Sequence, residues 1–186
     1  MAADINQGEL GNCYFLSCLM SLIEHPSRIR SLIRATQVND AGIYEVVFHV
    51  NGSNTASIVV DDYFPVHPNS KTLAFCTPKP NKNKNNQVAI WAMLVEKAWA
   101  KTHGSFARIE GGLTCNAWAH LVGVPSESIY HETVKEKKVT EAELWANLRA
   151  CYEQRFSMCA GSNEQAEENI SDGLRGSHSY TVLSLH

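Results

Sequence analysis

Apolar residues follow one another with little interruption over residues 13–23, where the sequence reads CYFLSCLMSLI. Asn12 stands immediately before this segment, and Pro26 follows shortly after it. Such a segment is typical of a helix that is buried on nearly every side, while Asn favours the cap position and Pro interrupts helices. We therefore predict a core helix over residues 13–23 that Asn12 caps and that ends near Pro26.

Two later segments are rich in β-branched and aromatic residues, namely residues 43–50 (IYEVVFHV) and 56–60 (ASIVV). The sequence NGSNT between them, at residues 51–55, has the composition of a turn, so the pattern predicts a β-hairpin. Residues 179–185 (SYTVLSL) alternate between polar and apolar positions. This alternation predicts a further strand near the end of the chain.

Apolar residues recur at helical spacing in three further segments: 88–102, 114–121 and 140–152. Gly104 and Gly123 closely follow the first two segments, as expected of residues that end helices. Thr140 and Glu143 match a capping box at the start of the third segment. Residues 79–87 (KPNKNKNNQ) contain no apolar residue and predict a solvated surface loop.

The composition indicates a folded protein without an obvious charged ligand. The chain has 186 residues, of which 44% are hydrophobic and 19% charged, with a formal net charge of −3. We expect one domain, or one domain with part of a second, and a boundary near Gly123 that divides residues 1–123 from residues 124–186.

The charge offers no basic stripe for phosphates, so nucleic acid is not an expected partner. No apolar run approaches the length of about 18 residues that suggests a membrane span, and we expect a soluble, intracellular protein.

The six cysteines are expected to be reduced, because the chain is long enough to fold without disulfides and shows no export signal. Neither they nor the eight histidines have the spacing of a zinc site. Cys13 stands out because it would occupy the first turn of a helix, where the helix end stabilises a thiolate. Such a cysteine can be a nucleophile, with Gln7 and the Cys13 N–H as oxyanion donors. Considered alone, this pattern more often belongs to a cysteine that fills a small space in the core.

Three blocks of the sequence, in order, resemble the calpain cysteine proteases. Residues 4–17 (DINQGELGNCYFLS) resemble the segment that carries the nucleophile, and residues 94–112, beginning LVEKAWAK and ending GG, resemble a helix and glycine pair of the first protease subdomain. Residues 173–182 (GLRGSHSYTV) resemble the block that carries the histidine, and residues 61–65 (DDYFP) resemble the end of a family strand.

This resemblance implies an α+β, papain-like fold with a helical N-terminal subdomain (1–123) and a partial, β-rich C-terminal subdomain (124–186). It implies that Cys13 is the nucleophile, that His178 is the general base and then general acid, and that Gln7 is an oxyanion donor. The expected activity is calcium-dependent cysteine-type endopeptidase cleavage of intracellular proteins, in the cytoplasm. By the same resemblance, Asp4 and Glu96 would help to bind Ca²⁺ through hard carboxylate oxygens.

One departure from the family keeps a second function open. The family places an asparagine that orients the histidine on a later strand, and that position would lie past His186, so we expect a catalytic domain that is incomplete at its C-terminal end. The rival interpretation is therefore a calpain-like scaffold that binds protein partners and cleaves nothing. A redox or metal-dependent thiol protein has no supporting spacing. The sequence leaves the substrates, further domains and oligomeric state open.

Overall fold

The apolar segment after Asn12 forms helix α1 (Cys13–Leu22) in the computed structural model, which describes residues 5–35, 37–78, 89–130, 136, 138–162 and 173–186. Pro26 follows the end of α1, as expected, and it is also the first residue of a second helix, α2 (Pro26–Leu32). Proline is well tolerated at this position, since the first helical N–H has no partner within the helix. The predicted surface loop over residues 79–87 lies outside the described residues.

The other predicted helices are present with small shifts at their ends. They are α3 (Trp91–His103), α4 (Thr114–Val122) and α5 (Glu141–Glu153), with a 3-10 turn at Phe106–Ile109. Gly104 ends α3 with φ of 97°, a left-handed conformation that glycine adopts without steric cost. At the start of α5, the Thr140 hydroxyl accepts from the Glu143 N–H and the Glu143 carboxylate accepts from the Thr140 N–H. The predicted capping box is therefore confirmed.

The predicted hairpin is confirmed and is longer than expected. It pairs β2 (Ile43–Val50) with β3 (Asn54–Asp61) in antiparallel register, so the turn is shorter than residues 51–55. Two short antiparallel pairs accompany it: β1 (Ile5–Asn6) with β4 (Thr77–Pro78), and β5 (Met158–Gly161) with β6 (Ser179–Val182). The chain thus combines helices with small sheets, as an α+β fold requires. Strand β6 begins at the predicted residue and ends three residues before the predicted end at residue 185.

The core forms around Trp99 of α3, which is 1% exposed. The Phe15 ring of α1 stacks on the Trp99 ring at 4.9 Å, and Phe48 of β2 meets it edge-on at 5.6 Å. The Trp99 indole N–H donates to the buried Tyr14 hydroxyl at 3.1 Å. These contacts join α1, α3 and the β2–β3 hairpin, and they hold the start of α1 in place.

Among the described residues after Gly123, none is buried. The apolar stripe predicted for α5 is a clear case, since Trp145 remains 43% exposed and Tyr152 41% exposed. The apolar face of α5 is therefore largely exposed within the described residues. In the described part of the chain, no helix combines the length and the apolar character needed to span a membrane. The boundary near residue 123 stays a prediction.

Candidate active site

A loop tied down by backbone contacts leads to the start of α1. The Glu9 N–H donates to the Ala74 carbonyl at 3.0 Å. Gly8 lies so close to the Phe75 carbonyl that a Cβ at this position would overlap it. The Gln7 side-chain amide and the backbone N–H of Asn12 both donate to the Leu10 carbonyl, at 2.7 and 2.9 Å. The predicted oxyanion donor Gln7 and the start of α1 are therefore joined through one carbonyl group.

The side chain of Asn12 does not cap α1, so the predicted capping role is wrong. Its amide Nδ2 donates at 2.7 Å to Oε1 of Glu96, while no N–H of the first helical turn is bonded to its side chain. In the described part of the chain, its Oδ1 has no hydrogen-bond partner although it is buried. A carboxylate that follows 84 residues later competes successfully for the Asn12 side chain, because a charge-assisted bond is stronger than a neutral cap.

The thiol of Cys13 is half-buried at the first position of α1. Among the described residues, no acceptor takes the Cys13 backbone N–H, as expected at the first position of a helix. The Gln7 side chain is exposed, and one of its two amide hydrogens is used by Leu10. Within the described residues, the Cys13 N–H and one Gln7 amide hydrogen are thus not taken by protein acceptors, as the predicted oxyanion donors require.

Strand β6, which begins directly after His178, packs on the same helix. The Ser179 hydroxyl lies 2.8 Å from the Ser17 hydroxyl, and the Thr181 hydroxyl donates to the Ser17 carbonyl at 2.8 Å. Ser179 and Thr181 are two residues apart and therefore point to one face of the strand. Ser17 lies one helical turn after Cys13, so this seam places the histidine segment alongside the turn that carries the thiol.

His178 has an ordered backbone and a partly buried ring. Its N–H donates to the Ser162 hydroxyl at 3.0 Å, and its carbonyl accepts from the Ser162 N–H at 2.9 Å. The ring meets the Tyr180 ring edge-on, with 4.8 Å between centroids. Burial, and to a smaller degree the positive charge of Arg175, lowers the pKa of His178 below its ordinary value of 6.5. The neutral imidazole, which can accept a proton, is therefore the dominant form near pH 7.

The residue before His178 carries backbone strain. Ser177 has a φ of 48°, a left-handed conformation that residues with a Cβ rarely adopt. Strain of this kind concentrates at functional segments that the surrounding structure holds in place. Within the described residues, the hydrogen bonds include none between Cys13 and the His178 ring, and none between that ring and a third side chain. Catalytic pairs are often longer than a hydrogen bond when no substrate is bound.

The described residues do not fit a calcium site at Glu96. This carboxylate is 2% exposed, and its Oε2 accepts the Cys76 N–H at 3.1 Å while Oε1 accepts the Asn12 amide. Both oxygens are thus bonded to N–H donors, whereas Ca²⁺ requires six to eight oxygen ligands. In the part of the chain that the structure describes, no cluster of three His, Cys, Asp or Glu side chains is present. Asp4, the other predicted ligand, lies outside the described residues.

Two other cysteines differ from Cys13 in their surroundings. Cys18 is fully buried one turn and a half further along α1, and Cys76 is 2% exposed. Burial raises the pKa of both thiols, with Glu96 contributing at Cys76. All six cysteines are free thiols, as the sequence predicted. Cys18 and Cys76 are therefore poor nucleophiles at neutral pH. Cys13 is only half-buried and so is not a cysteine enclosed in the core, the other possibility that its sequence pattern allowed.

Sequence reasoning missed two parts of this site: the bond from Asn12 to Glu96, and the seam between Ser17 and β6. The first had no local signal, because its partners are far apart in the chain. The second had a weak signal, since Ser179 and Thr181 place hydroxyls at alternate positions of a predicted strand.

A half-buried thiol at a helix start, with a histidine segment packed on the same helix, fits the chemistry of a thiol-dependent hydrolase. The comparisons with known proteins agree, and the chain belongs to the calpain family of cysteine proteases, whose family model (calpain family cysteine protease) matches residues 1–186.

Curated relatives carry the same description. The chain is 36% identical over 186 residues to the calpain-type cysteine protease DEK1 of Zea mays, covering 99% of this chain and 8% of the relative. It is 34% identical over 186 residues to the calpain-type cysteine protease ADL1 of Oryza sativa, again covering 99% of this chain and 8% of the relative. Over 189 residues it is 27% identical to a calpain of Schistosoma mansoni, covering 98% of this chain and 23% of the relative. The chain thus spans less than a tenth of the length of the plant relatives.

Proposed function

We propose that this chain carries the nucleophile and the general base of a calpain-type cysteine endopeptidase with a papain-like arrangement of subdomains. The observation that supports the proposal is the seam between Ser17 and β6, because Ser17 lies one helical turn after Cys13 and β6 begins directly after His178. Family membership supplies the reaction class, and the seam supplies a physical reason for these two residues to act together.

In the proposed mechanism, neutral His178 takes the proton of the Cys13 thiol, and the thiolate sulfur attacks the carbonyl carbon of the peptide bond. The oxyanion that forms accepts hydrogen bonds from the Gln7 amide and the Cys13 N–H. His178 then donates its proton to the departing amine nitrogen as the C–N bond breaks, which leaves a thioester on Cys13. Water loses a proton to His178 and attacks this thioester, and the thiolate leaves and regains its proton.

The substrates we propose are unfolded or extended polypeptides, and the cytoplasm stays the predicted location. Calcium dependence also remains a prediction from the resemblance, because the described residues around Glu96 do not support it. The rival function, a scaffold that binds without cleaving, is an outcome of the same test.

The test compares cleavage of a fluorescently labelled, unfolded polypeptide by the parent chain and by two cysteine variants. Cys13→Ala should abolish cleavage while the fold is retained, because it removes the attacking sulfur. Cys18→Ala is the matched control on the same helix: it should lose about 1 kcal/mol of stability and keep its activity. Assays with and without calcium chloride measure the calcium dependence.

Equal loss of cleavage in both folded variants would contradict the assignment of Cys13. A folded parent chain that binds the polypeptide and does not cleave it, with or without calcium, would favour the scaffold.

A further inference from the structure

One buried carboxylate joins the two segments that present the proposed catalytic groups. Glu96 of α3 accepts the Asn12 amide through Oε1 and the Cys76 N–H through Oε2. Asn12 directly precedes the nucleophile Cys13. Cys76 directly precedes β4, whose partner β1 ends immediately before Gln7. The segments that lead to the attacking sulfur and to the oxyanion donor therefore meet at the same side chain.

Glu96 and its partner Asn12 are both buried, which limits the groups that could replace either of them. Since Glu96 is 2% exposed and Asn12 is 0% exposed, water cannot replace either partner without opening the core. Removing the carboxylate would leave two buried N–H donors without acceptors, which is a costly arrangement. The orientation of Asn12 is informative as well, because its side chain bonds to Glu96 and leaves the first turn of α1 uncapped.

We propose that Glu96 is a positioning residue of this active site, which holds Asn12 and Cys76 so that the Cys13 thiol keeps its place relative to Gln7. The inference rests on the proposed peptidase function. It replaces the expected role of Glu96 as a calcium ligand with a role in which its two oxygens are occupied by protein donors.

Two variants change the donors and acceptors without changing side-chain size. Glu96→Gln offers one acceptor and one donor, so either two N–H groups face each other or the Asn12 amide turns over and leaves its Nδ2 buried without an acceptor. Combining it with Asn12→Asp reverses the direction of the bond, because Gln donates to Asp at position 12 and still accepts from Cys76. Glu127→Gln, at an exposed position outside helices and strands, is the control for loss of one negative charge.

The measurement is the rate of Cys13 alkylation by iodoacetamide at pH 7, read by peptide mapping, together with thermal unfolding followed by circular dichroism. Glu96→Gln should lower the alkylation rate of the folded protein at least about tenfold, the scale of effect expected from a small displacement of a reacting group. The combined variant should recover most of the rate, and Glu127→Gln should react as the parent does.

A merely structural carboxylate would give a different result. Glu96→Gln would then unfold at a lower temperature and react at the parent rate while folded, and this outcome would overturn the proposal. Failure of the combined variant to recover the rate would also overturn it. If Glu96→Gln does not fold, Asn12→Ala removes the same bond and leaves Glu96 in place. Folded Asn12→Ala should show the same loss of alkylation rate. A parent-like rate in this variant overturns the proposal.

Failure of the proposed function would be seen separately, as a parent chain in which Cys13 reacts no faster than the half-buried Cys151. Hydrogen–deuterium exchange over the first turn of α1 and residues 74–78 then decides the role of Glu96. Faster exchange in Glu96→Gln that the combined variant reverses supports positioning, and unchanged exchange contradicts it. Calcium chloride that raises the unfolding temperature of the parent and not that of Glu96→Gln would also overturn the proposal, because it would identify Glu96 as a metal ligand.

Discussion

The protonation of His178 is controlled by its surroundings. The ring is partly buried beside Tyr180, and the Arg175 charge adds to the effect of burial, so the pKa of His178 lies below 6.5. A lowered histidine pKa means that unfolding promotes proton uptake in mildly acidic solution. The stability contributed by neutral His178 is therefore present above the unfolded-state pKa of about 6.5 and is lost as the pH falls through the folded-state value.

This predicts a measurable pH dependence. The free energy of unfolding of the parent should fall more steeply below about pH 6.5 than that of His178→Gln, because Gln cannot take up a proton. Urea unfolding at several pH values between neutral and mildly acidic checks the prediction. Parallel curves for the two proteins would show that the pKa of His178 is the same in the folded and unfolded chains.

At the residue scale, the sequence predicted the position of Cys13 at the start of its helix and misjudged the role of Asn12. Cys13 begins its helix as expected, since Asn12 precedes an apolar segment. The side chain of Asn12 was expected to cap that helix, and it bonds to Glu96 instead. Local patterns predict which residue occupies a cap position. They do not include a buried carboxylate that approaches from a distant helix.

The contact between α1 and β6 is the element-scale feature on which the site depends. It includes the Thr181 hydroxyl, which donates to the Ser17 carbonyl, and the Ser17 and Ser179 hydroxyls, which bond to each other. Because β6 follows His178 directly, loosening this seam would change the position of the imidazole relative to Cys13.

Removing one of these hydroxyls tests that connection. Thr181→Val keeps the side-chain shape and should cost about 1 kcal/mol, because it removes the hydrogen bond from the Thr181 hydroxyl to the Ser17 carbonyl. It should also lower polypeptide cleavage. Thr102→Val is the matched control, since the Thr102 hydroxyl donates to the Ala98 carbonyl within α3, far along the chain from the seam. Cleavage assays should show a loss of activity in Thr181→Val only, and urea unfolding shows whether each variant is folded under the assay conditions. Equal activities would contradict the role of the seam.

Elements with strong local signals could be predicted from the sequence. The hairpin had two β-branched segments around a turn, and α5 had its capping box. The seam is different, because the pairing of a terminal strand with a helix from the start of the chain leaves no periodicity in either segment. Similarly, the apolar stripe of α5 has the pattern of a buried face and is largely exposed within the described residues.

At the scale of the whole molecule, the described core joins α1, α3 and the β2–β3 hairpin around Trp99. Its stacking on Phe15 and its edge contact with Phe48 are the main aromatic contacts at that junction. Trp99 therefore contributes both to the stability of the described core and to the placement of the helix that begins with Cys13.

The two tryptophans Trp99 and Trp145 should differ sharply when truncated. Trp99→Ala should cost about 3–5 kcal/mol, because it opens a cavity in the core. Trp145→Ala, at a position that is 43% exposed, should cost under about 1 kcal/mol. Thermal and urea unfolding of both variants provide the comparison. Similar losses would indicate that the exposed face of α5 is covered by another part of the protein.

The central claim is that Cys13 is activated as a nucleophile by His178. Its most direct test is the pH dependence of Cys13 alkylation by iodoacetamide, followed by peptide mapping in the parent and in His178→Ala, with Cys151 as an internal reference. We predict that Cys13 of the parent reacts rapidly near neutral pH, faster than Cys151, and that His178→Ala removes this advantage. A Cys13 that follows the profile of Cys151 in both proteins would contradict the account.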